Sequence, residues 1–213
     1  MPSLLHIDSS PRANSVSSRL AAAFVKKWRR QNPAGTVIHH NTSLESIPYL
    51  DEATAEAFLN PSVVCVPEPG STLACSDRFI DEFLAADVLV LAVPMWNLSI
   101  PASLKAWIDL VVREGRTFAF TESGTVPLIP SGKKAFVFTA RGGAYPAGSP
   151  MRALDFQQPY LRAILGVIGI TDIEFIHAER QSESPAAAVE GLALAERALE
   201  ALSPSCAARL ERR

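Results

Sequence analysis

Val88-Leu89-Val90-Leu91-Ala92-Val93-Pro94-Met95-Trp96-Asn97-Leu98-Ser99-Ile100-Pro101-Ala102-Ser103-Leu104-Lys105-Ala106-Trp107-Ile108-Asp109 is the stretch from which the rest of the chain can be ordered. Residues 88–93 form an unbroken apolar run, which reads as a buried strand. The run stops at Pro94, crosses a short segment mixing Met, Trp and Asn, and enters a helix at Pro101. Trp96 and Asn97 therefore sit just past the carboxyl end of a strand, where open α/β sheets bind their ligands. An aromatic ring and an amide at that point call for a planar, hydrogen-bonding ligand.

Composition narrows the class of protein. The chain has 213 residues, 48% of them hydrophobic, enough to bury a large core in one domain over 1–213 with loop insertions. A formal charge of -2, 20% charged residues and no long basic run give no electrostatic reason to expect nucleic acid or a membrane surface as partner. Cys65, Cys75 and Cys206 are odd in number and lack metal-type spacing, so the sequence predicts neither a disulfide framework nor a metal site. Residues 1–8 run straight into a strand pattern without the apolar segment of a signal peptide or membrane span, and a cytoplasmic location is expected.

Taken in order, residues 3–8 read as a first buried strand, and a loop of small polar residues, Ser9-Ser10-Pro11-Arg12-Ala13-Asn14-Ser15-Val16-Ser17-Ser18, follows it. A helix over 19–31 carries Leu20, Phe24, Val25 and Trp28 at helical spacing. A phosphate at that helix start would meet free N–H groups and the hydroxyls of Ser15 and Ser17; the same serines also serve as helix caps. Residues 36–40 read as a second strand, on which His39 and His40 face opposite sides. The region 41–70 is irregular apart from a short helix over 52–59.

An amphipathic helix over 71–86 precedes the central strand, with Asp77, Asp81 and Glu82 expected to face solvent. A helix over 102–112 follows it, then an edge hairpin or extended excursion over 113–121 carrying Phe118 and Phe120. Residues 134–139 form a fourth strand that runs into Ala140-Arg141-Gly142-Gly143, whose glycines permit positive φ or close backbone approach. A helix over 155–168, a strand over 169–177, a helix over 185–202 and a frayed tail from 203 complete the chain. No GxGxxG or P-loop lysine pattern is present, which disfavours a dinucleotide or nucleoside triphosphate site of those types.

Right-handed crossovers turn this alternation into a doubly wound parallel sheet in the flavodoxin-type order 2-1-3-4-5, a three-layer sandwich with helices on both faces. The loops after strands one, three and four then converge on one crevice. A serine-rich phosphate pocket, an aromatic and amide wall and a glycine edge together match flavin mononucleotide (FMN).

Pro94-Met95-Trp96-Asn97, the following Ile100 to Asp109 segment, Arg141-Gly142-Gly143 and Leu165-Gly166-Val167-Ile168-Gly169-Ile170-Thr171-Asp172 resemble the FMN-dependent NADH:quinone oxidoreductase and azoreductase family, over nearly the whole chain. The resemblance implies FMN contacts from Ser10, Ser15, Val16, Ser17, Met95, Trp96, Asn97, Leu98, Ala140, Arg141, Gly142 and Gly143. It also implies that Trp96 and Phe120 wall the substrate space across a homodimer interface, and that Arg141 either balances flavin charge or is exposed. Ala140 stands where the family has serine, and Trp96 and Leu98 where tyrosine and phenylalanine are common.

The activity so implied is ping-pong, two-electron hydride transfer from NADH or NADPH to quinones or azo compounds, carried by the cofactor with no dedicated acid/base residue. A non-catalytic electron carrier of the same fold is the alternative. A receiver-type signalling domain is disfavoured, because the third strand ends in Pro94-Met95-Trp96-Asn97 rather than in a phosphoacceptor aspartate.

Overall fold

A computed structural model describes residues 1–60 and 66–203. Cys65, Cys206 and the tail over 204–213 lie outside the described residues, while Cys75 is a half-buried free thiol. The chain runs β1 (Ser3–Asp8), α1 (Val16–Gln31), β2 (Thr36–Asn41), α2 (Glu52–Leu59), α3 (Thr72–Ala85), β3 (Val88–Pro94) and α4 (Ala102–Val111). It continues through β4 (Phe118–Thr121), β5 (Gly124–Pro127), β6 (Lys134–Ala140), a 3-10 turn (Pro150–Leu154), α5 (Gln158–Val167), β7 (Asp172–Ala178) and α6 (Pro185–Ala201).

Five strands form a parallel sheet in the order β2-β1-β3-β6-β7, the expected 2-1-3-4-5 arrangement. Its alternating side chains feed two cores. Leu5, Ile7, Leu89, Leu91, Val93, Ala135 and Val137 pack with α3, α4 and α5 on one face. Leu4, Val88, Val90, Ala92, Phe136, Phe138 and Ile176 pack with α1 and α6 on the other. Strands buried on both sides must be continuously apolar, which is why they stood out in the sequence. The stripe of α1 seats Phe24 against the rings of Phe136 and Phe138, at centroid distances of 4.3 and 5.4 Å.

Helix starts follow the caps rather than the apolar stripes. The Ser18 N–H donates to Ser15 Oγ at 3.3 Å, so α1 begins at Val16, ahead of the stripe that placed its start at residue 19. At the end of α5 the N–H groups of Gly169 and Ile170 donate to the carbonyls of Gly166 and Leu165, and Gly169 has φ +93°. This Schellman cap diverts residues 169–171, and β7 starts at Asp172 instead of 169.

Two acidic residues assigned to solvent are engaged instead. Asp77 pairs with Arg113 and Arg116, and Glu82 with His40, which also holds Glu45. His39 lies on the opposite face of β2, stacked on His6 at 4.6 Å. The excursion after α4 is a separate antiparallel hairpin, β4 with β5, outside the main sheet. It is tied to α3 through Arg116, and Pro127 packs on Gly169.

Gly191 marks the tightest approach of α6 to the sheet: a Cβ there would lie 2.1 Å from the carbonyl oxygen of Glu179. Gly191→Ala normally favours a helix interior, but here it forces backbone apart. We expect a loss of about 1–3 kcal/mol, read as a lower denaturation midpoint; an unchanged or raised midpoint contradicts the packing.

Candidate functional site

Because β1, β3 and β6 are adjacent and parallel, their carboxyl ends share one edge of the sheet, and cross-links join them. The N–H and hydroxyl of Ser9 both donate to the Ala92 carbonyl, at 3.0 and 2.8 Å. The Met95 N–H donates to the Ala140 carbonyl at 2.8 Å. The loops after these strands therefore rise from a common base.

In the first loop, the Ser10 N–H and Ser18 hydroxyl donate to Asp8 Oδ1, each at 2.9 Å, and Ser10 Oγ accepts the Arg12 N–H. Ser15 caps α1, and its Oγ lies 3.0 Å from that of Ser17; both side chains are buried. Capping is thus real, and it leaves the first-turn N–H groups of Val16 and Ser17 without acceptors among the described residues. Unpaired donors at a helix start, beside two hydroxyls, form an anion-binding arrangement.

The second loop is a tight turn. Trp96 and Ser99 exchange both backbone hydrogen bonds at 3.0 Å, and the central residues Asn97 and Leu98 have φ of 46° and 69°. Positive φ at both central positions defines a type I′ turn; asparagine tolerates it and leucine is strained there. The N–H groups of Asn97 and Leu98 have no acceptor among the described residues, whereas the Leu98 carbonyl takes the Phe156 N–H. Trp96 stands 49% exposed beside this turn.

The third loop repeats the asymmetry. The carbonyls of Arg141, Gly142 and Gly143 accept N–H groups of Gln181, Ser182 and Arg180, but the N–H groups of Gly142 and Gly143 are unpaired among the described residues. Neither glycine has positive φ, so of the two sequence-based reasons for them only close approach stands. A Cβ on Gly143 would meet only the Tyr145 hydroxyl, at 3.9 Å, while one on Gly142 would press on Ser182 Oγ at 3.2 Å. A planar group with a polar edge and a phosphate fits this set: donors along one side, an anion site at the other, and open space over Gly143.

Arg141 does not point outward. It is 1% exposed: Nε donates to Gln157 Oε1 at 3.1 Å, and Nη1 lies 3.3 Å from Asp155 and 3.5 Å from Glu179. Burial lowers its pKa, and Asp155 and Glu179 oppose that shift. The exposed reading is corrected because those partners arrive from distant parts of the chain. Phe120 is likewise not brought to the loops of its own chain. The hairpin joins α4 to β6 at the amino ends of the strands, and Phe120 is 66% exposed with its ring against Phe118.

Sequence reasoning missed a polar clasp, in which Ser43 Oγ donates to the Ser9 carbonyl and lies 3.0 Å from Ser103 Oγ. It also missed Asp155 and Gln157; an aspartate shortly before a helix with Pro159 in its first turn was the available signal. A cleft of ≈ 610 Å³ opens beside the second loop, lined by Pro11, Ser43, Trp96, Asn97, Pro101 and Tyr160 among others. Burial and the nearby Asp109 push the Tyr160 hydroxyl up to about 12.

A family model described as flavodoxin-like fold matches residues 2–202. The chain is 46% identical over 180 residues to an FMN-dependent NADH:quinone oxidoreductase of Nostoc sp., covering 84% of this chain and 87% of that one. It is 44% identical over 202 residues to an FMN-dependent NADH:quinone oxidoreductase of Ralstonia nicotianae, covering 92% and 94%. Among solved structures, an azoreductase from Bacillus anthracis superposes with a TM-score of 0.83 at 29% identity, covering 94% of this chain and 98% of that one.

Two imidazoles, one buried and one largely so, give this architecture a pH dependence. Burial, then Arg141, pushes His177 down to about 3, beside Thr139 Oγ1 at 2.7 Å; burial, then His39, does the same to His6. Both are neutral in the fold, and both titrate near 6.5 in the unfolded chain. Unfolding therefore takes up protons below pH 6.5, so stability is full above that value and declines as pH falls toward 3. The expected decline is roughly 1 kcal/mol per pH unit for each imidazole. Urea midpoints measured between pH 7.5 and 5 should fall for the native chain and fall about half as steeply for His177→Asn; equal slopes contradict the assignment.

Proposed function

The chain belongs to the flavodoxin-like-fold family of FMN-dependent NADH:quinone oxidoreductases, and from that premise we propose a one-domain, cytoplasmic homodimer whose three loops hold the cofactor. The chain is an FMN-dependent enzyme that uses NADH to reduce quinones and azo compounds. FMN held by these loops would supply the two-electron chemistry that links the donor to the acceptor.

The chain's own residues bind and orient. Val16 and Ser17 offer N–H groups, and Ser15 and Ser17 hydroxyls, to the phosphate. Met95, Trp96, Asn97 and Leu98 would form one wall against the ring, and the N–H groups of Asn97, Leu98, Gly142 and Gly143 would donate to its polar edge and favour negative charge there. Ser10, Ala140 and Arg141 frame the same crevice. Trp96 borders the space that donor and acceptor occupy in turn, which gives ping-pong kinetics. Phe120 of the partner subunit closes that space; the support is that Phe120 is exposed on a hairpin directed away from its own loops.

The observation that carries the reading is the polarity of the loops: carbonyls at Leu98 and residues 141–143 are engaged from within, and the N–H groups beside them are left open. A non-catalytic electron carrier is disfavoured, since the aligned relatives are named as oxidoreductases.

Purified protein should show a flavin spectrum that anaerobic NADH bleaches rapidly; a colourless protein that FMN does not reconstitute overturns the reading. Gly143→Val adds a side chain where the protein has room and the cofactor does not. Its FMN affinity should fall at least tenfold with the apoprotein melting temperature unchanged; unchanged affinity would show that the loop is only a turn.

A further inference from the structure

Arg141 occupies the cofactor loop, yet its guanidinium is buried behind that loop. Full burial of a cation is expensive, and here one of its nitrogens, Nη2, finds no hydrogen-bond partner among the described residues. Stability alone is a poor reason for such a group. Its contacts supply another.

Through Nε the guanidinium holds Gln157 Oε1, and Gln157 Nε2 in turn donates to the carbonyl of Val93 at 3.2 Å, immediately before Pro94. Through Nη1 it faces Asp155, whose Oδ1 accepts the N–H groups of Gln157 and Gln158 at 3.1 and 3.0 Å. Between Asp155 and Gln157 the Phe156 N–H grips the Leu98 carbonyl at 3.1 Å. The strand end that leads into the strained turn, at Val93, and the turn itself, at Leu98, are therefore anchored to one short segment, and that segment is pinned to Arg141. On its other side Nη1 lies near Glu179, whose Oε1 accepts the Tyr145 N–H and so steadies the exit of the glycine loop. None of these bonds reaches Ser15 or Ser17.

We propose that Arg141 is a positioning residue for the ring-facing half of the site: acting through Gln157 and Asp155, it holds the 95–98 turn and the Gly142-Gly143 loop in register while leaving the phosphate loop independent. The proposal rests on the FMN reading above. It predicts a loss of affinity confined to the isoalloxazine end of the ligand.

The test compares FMN with riboflavin, which lacks the phosphate, by fluorescence titration of the full-length apoprotein. Arg141→Lys keeps the charge without the guanidinium fork. Gln157→Leu keeps Arg141 with its carboxylates and removes both the Nε contact to Arg141 and the link to Val93, so it decides the matter should Arg141→Lys fail to fold. Each variant should raise the dissociation constants of both flavins by the same factor, fivefold or more, leaving their ratio within twofold of the native value. The double variant should be no weaker than the weaker single one, since both cut one chain of contacts.

A change of less than fivefold in Gln157→Leu overturns the positioning role. So does a ratio that moves more than twofold, because general loosening would weaken the phosphate end as well, and so does a double variant in which the two losses multiply. Native protein that binds neither flavin refutes the FMN reading itself, an outcome distinct from variants that bind like the native chain.

Discussion

The carbonyl of Ala92 receives two hydrogen bonds from one residue, the N–H and the hydroxyl of Ser9, at 3.0 and 2.8 Å. This joint sits where the sheet changes direction: after β1 the chain crosses to the face covered by α1, and after β3 to the face covered by α4. Diverging crossovers open a crevice between neighbouring strands, and that crevice is useful only if the strand ends stay level. Ser9 levels β1 with β3, and the Met95 N–H to the Ala140 carbonyl levels β3 with β6. With three strand ends fixed at one height, each following loop contributes its first few residues to a shared rim.

What the rim presents is decided by main-chain bookkeeping. A buried loop carbonyl needs a donor, and residues 180–182 and Phe156 supply them from inside the molecule. The N–H groups of the same segments consequently point the other way. At Asn97 and Leu98 this orientation requires positive φ, which for leucine costs on the order of 1 kcal/mol. That strain persists because both flanks are held: Trp96 and Ser99 are bonded to each other, and the Leu98 carbonyl is fixed by Phe156. Local cost and tertiary restraint form a single device, which is why so much of the buried polar structure lies directly behind this turn.

Those features differ in how far a sequence can reveal them. Strand order was legible because doubly buried strands are continuous apolar runs and parallel crossovers have one hand. The rim loops were legible because serine, glycine and asparagine cluster where backbone must approach a ligand. Boundaries shifted where a polar cap outweighed an apolar stripe, as at Ser15, or where an apolar residue belonged to a helix cap, as Ile170 does behind Gly169. The fates of Arg141, Asp77 and Glu82 were not legible. A charge reads as exposed until its partners are known, and Asp155, Arg116 and His40 meet them only through the fold. That Phe120 lies away from the loops of its own chain was not legible for a similar reason: sequence identifies a hairpin but not the end of the sheet from which it departs.

The departures from the family pattern fall at positions where the main chain does the holding. At Ala140, where the resemblance implies a serine, the carbonyl accepts the Met95 N–H, and its place in the sheet, opposite Pro94 and Ala178, asks nothing of the side chain. At Trp96, where the resemblance implies a smaller aromatic, the backbone is bonded to Ser99 in both directions, so the turn does not depend on which ring stands there. Leu98, half-buried, is held by its carbonyl. Exchanges of this kind leave the donor array intact and alter only the surface that borders it. On the proposed reading, side-chain variation at residues 96 and 98 should thus register in which acceptors fit against the wall, while the geometry that would receive the cofactor's polar edge is set by backbone that these substitutions do not touch.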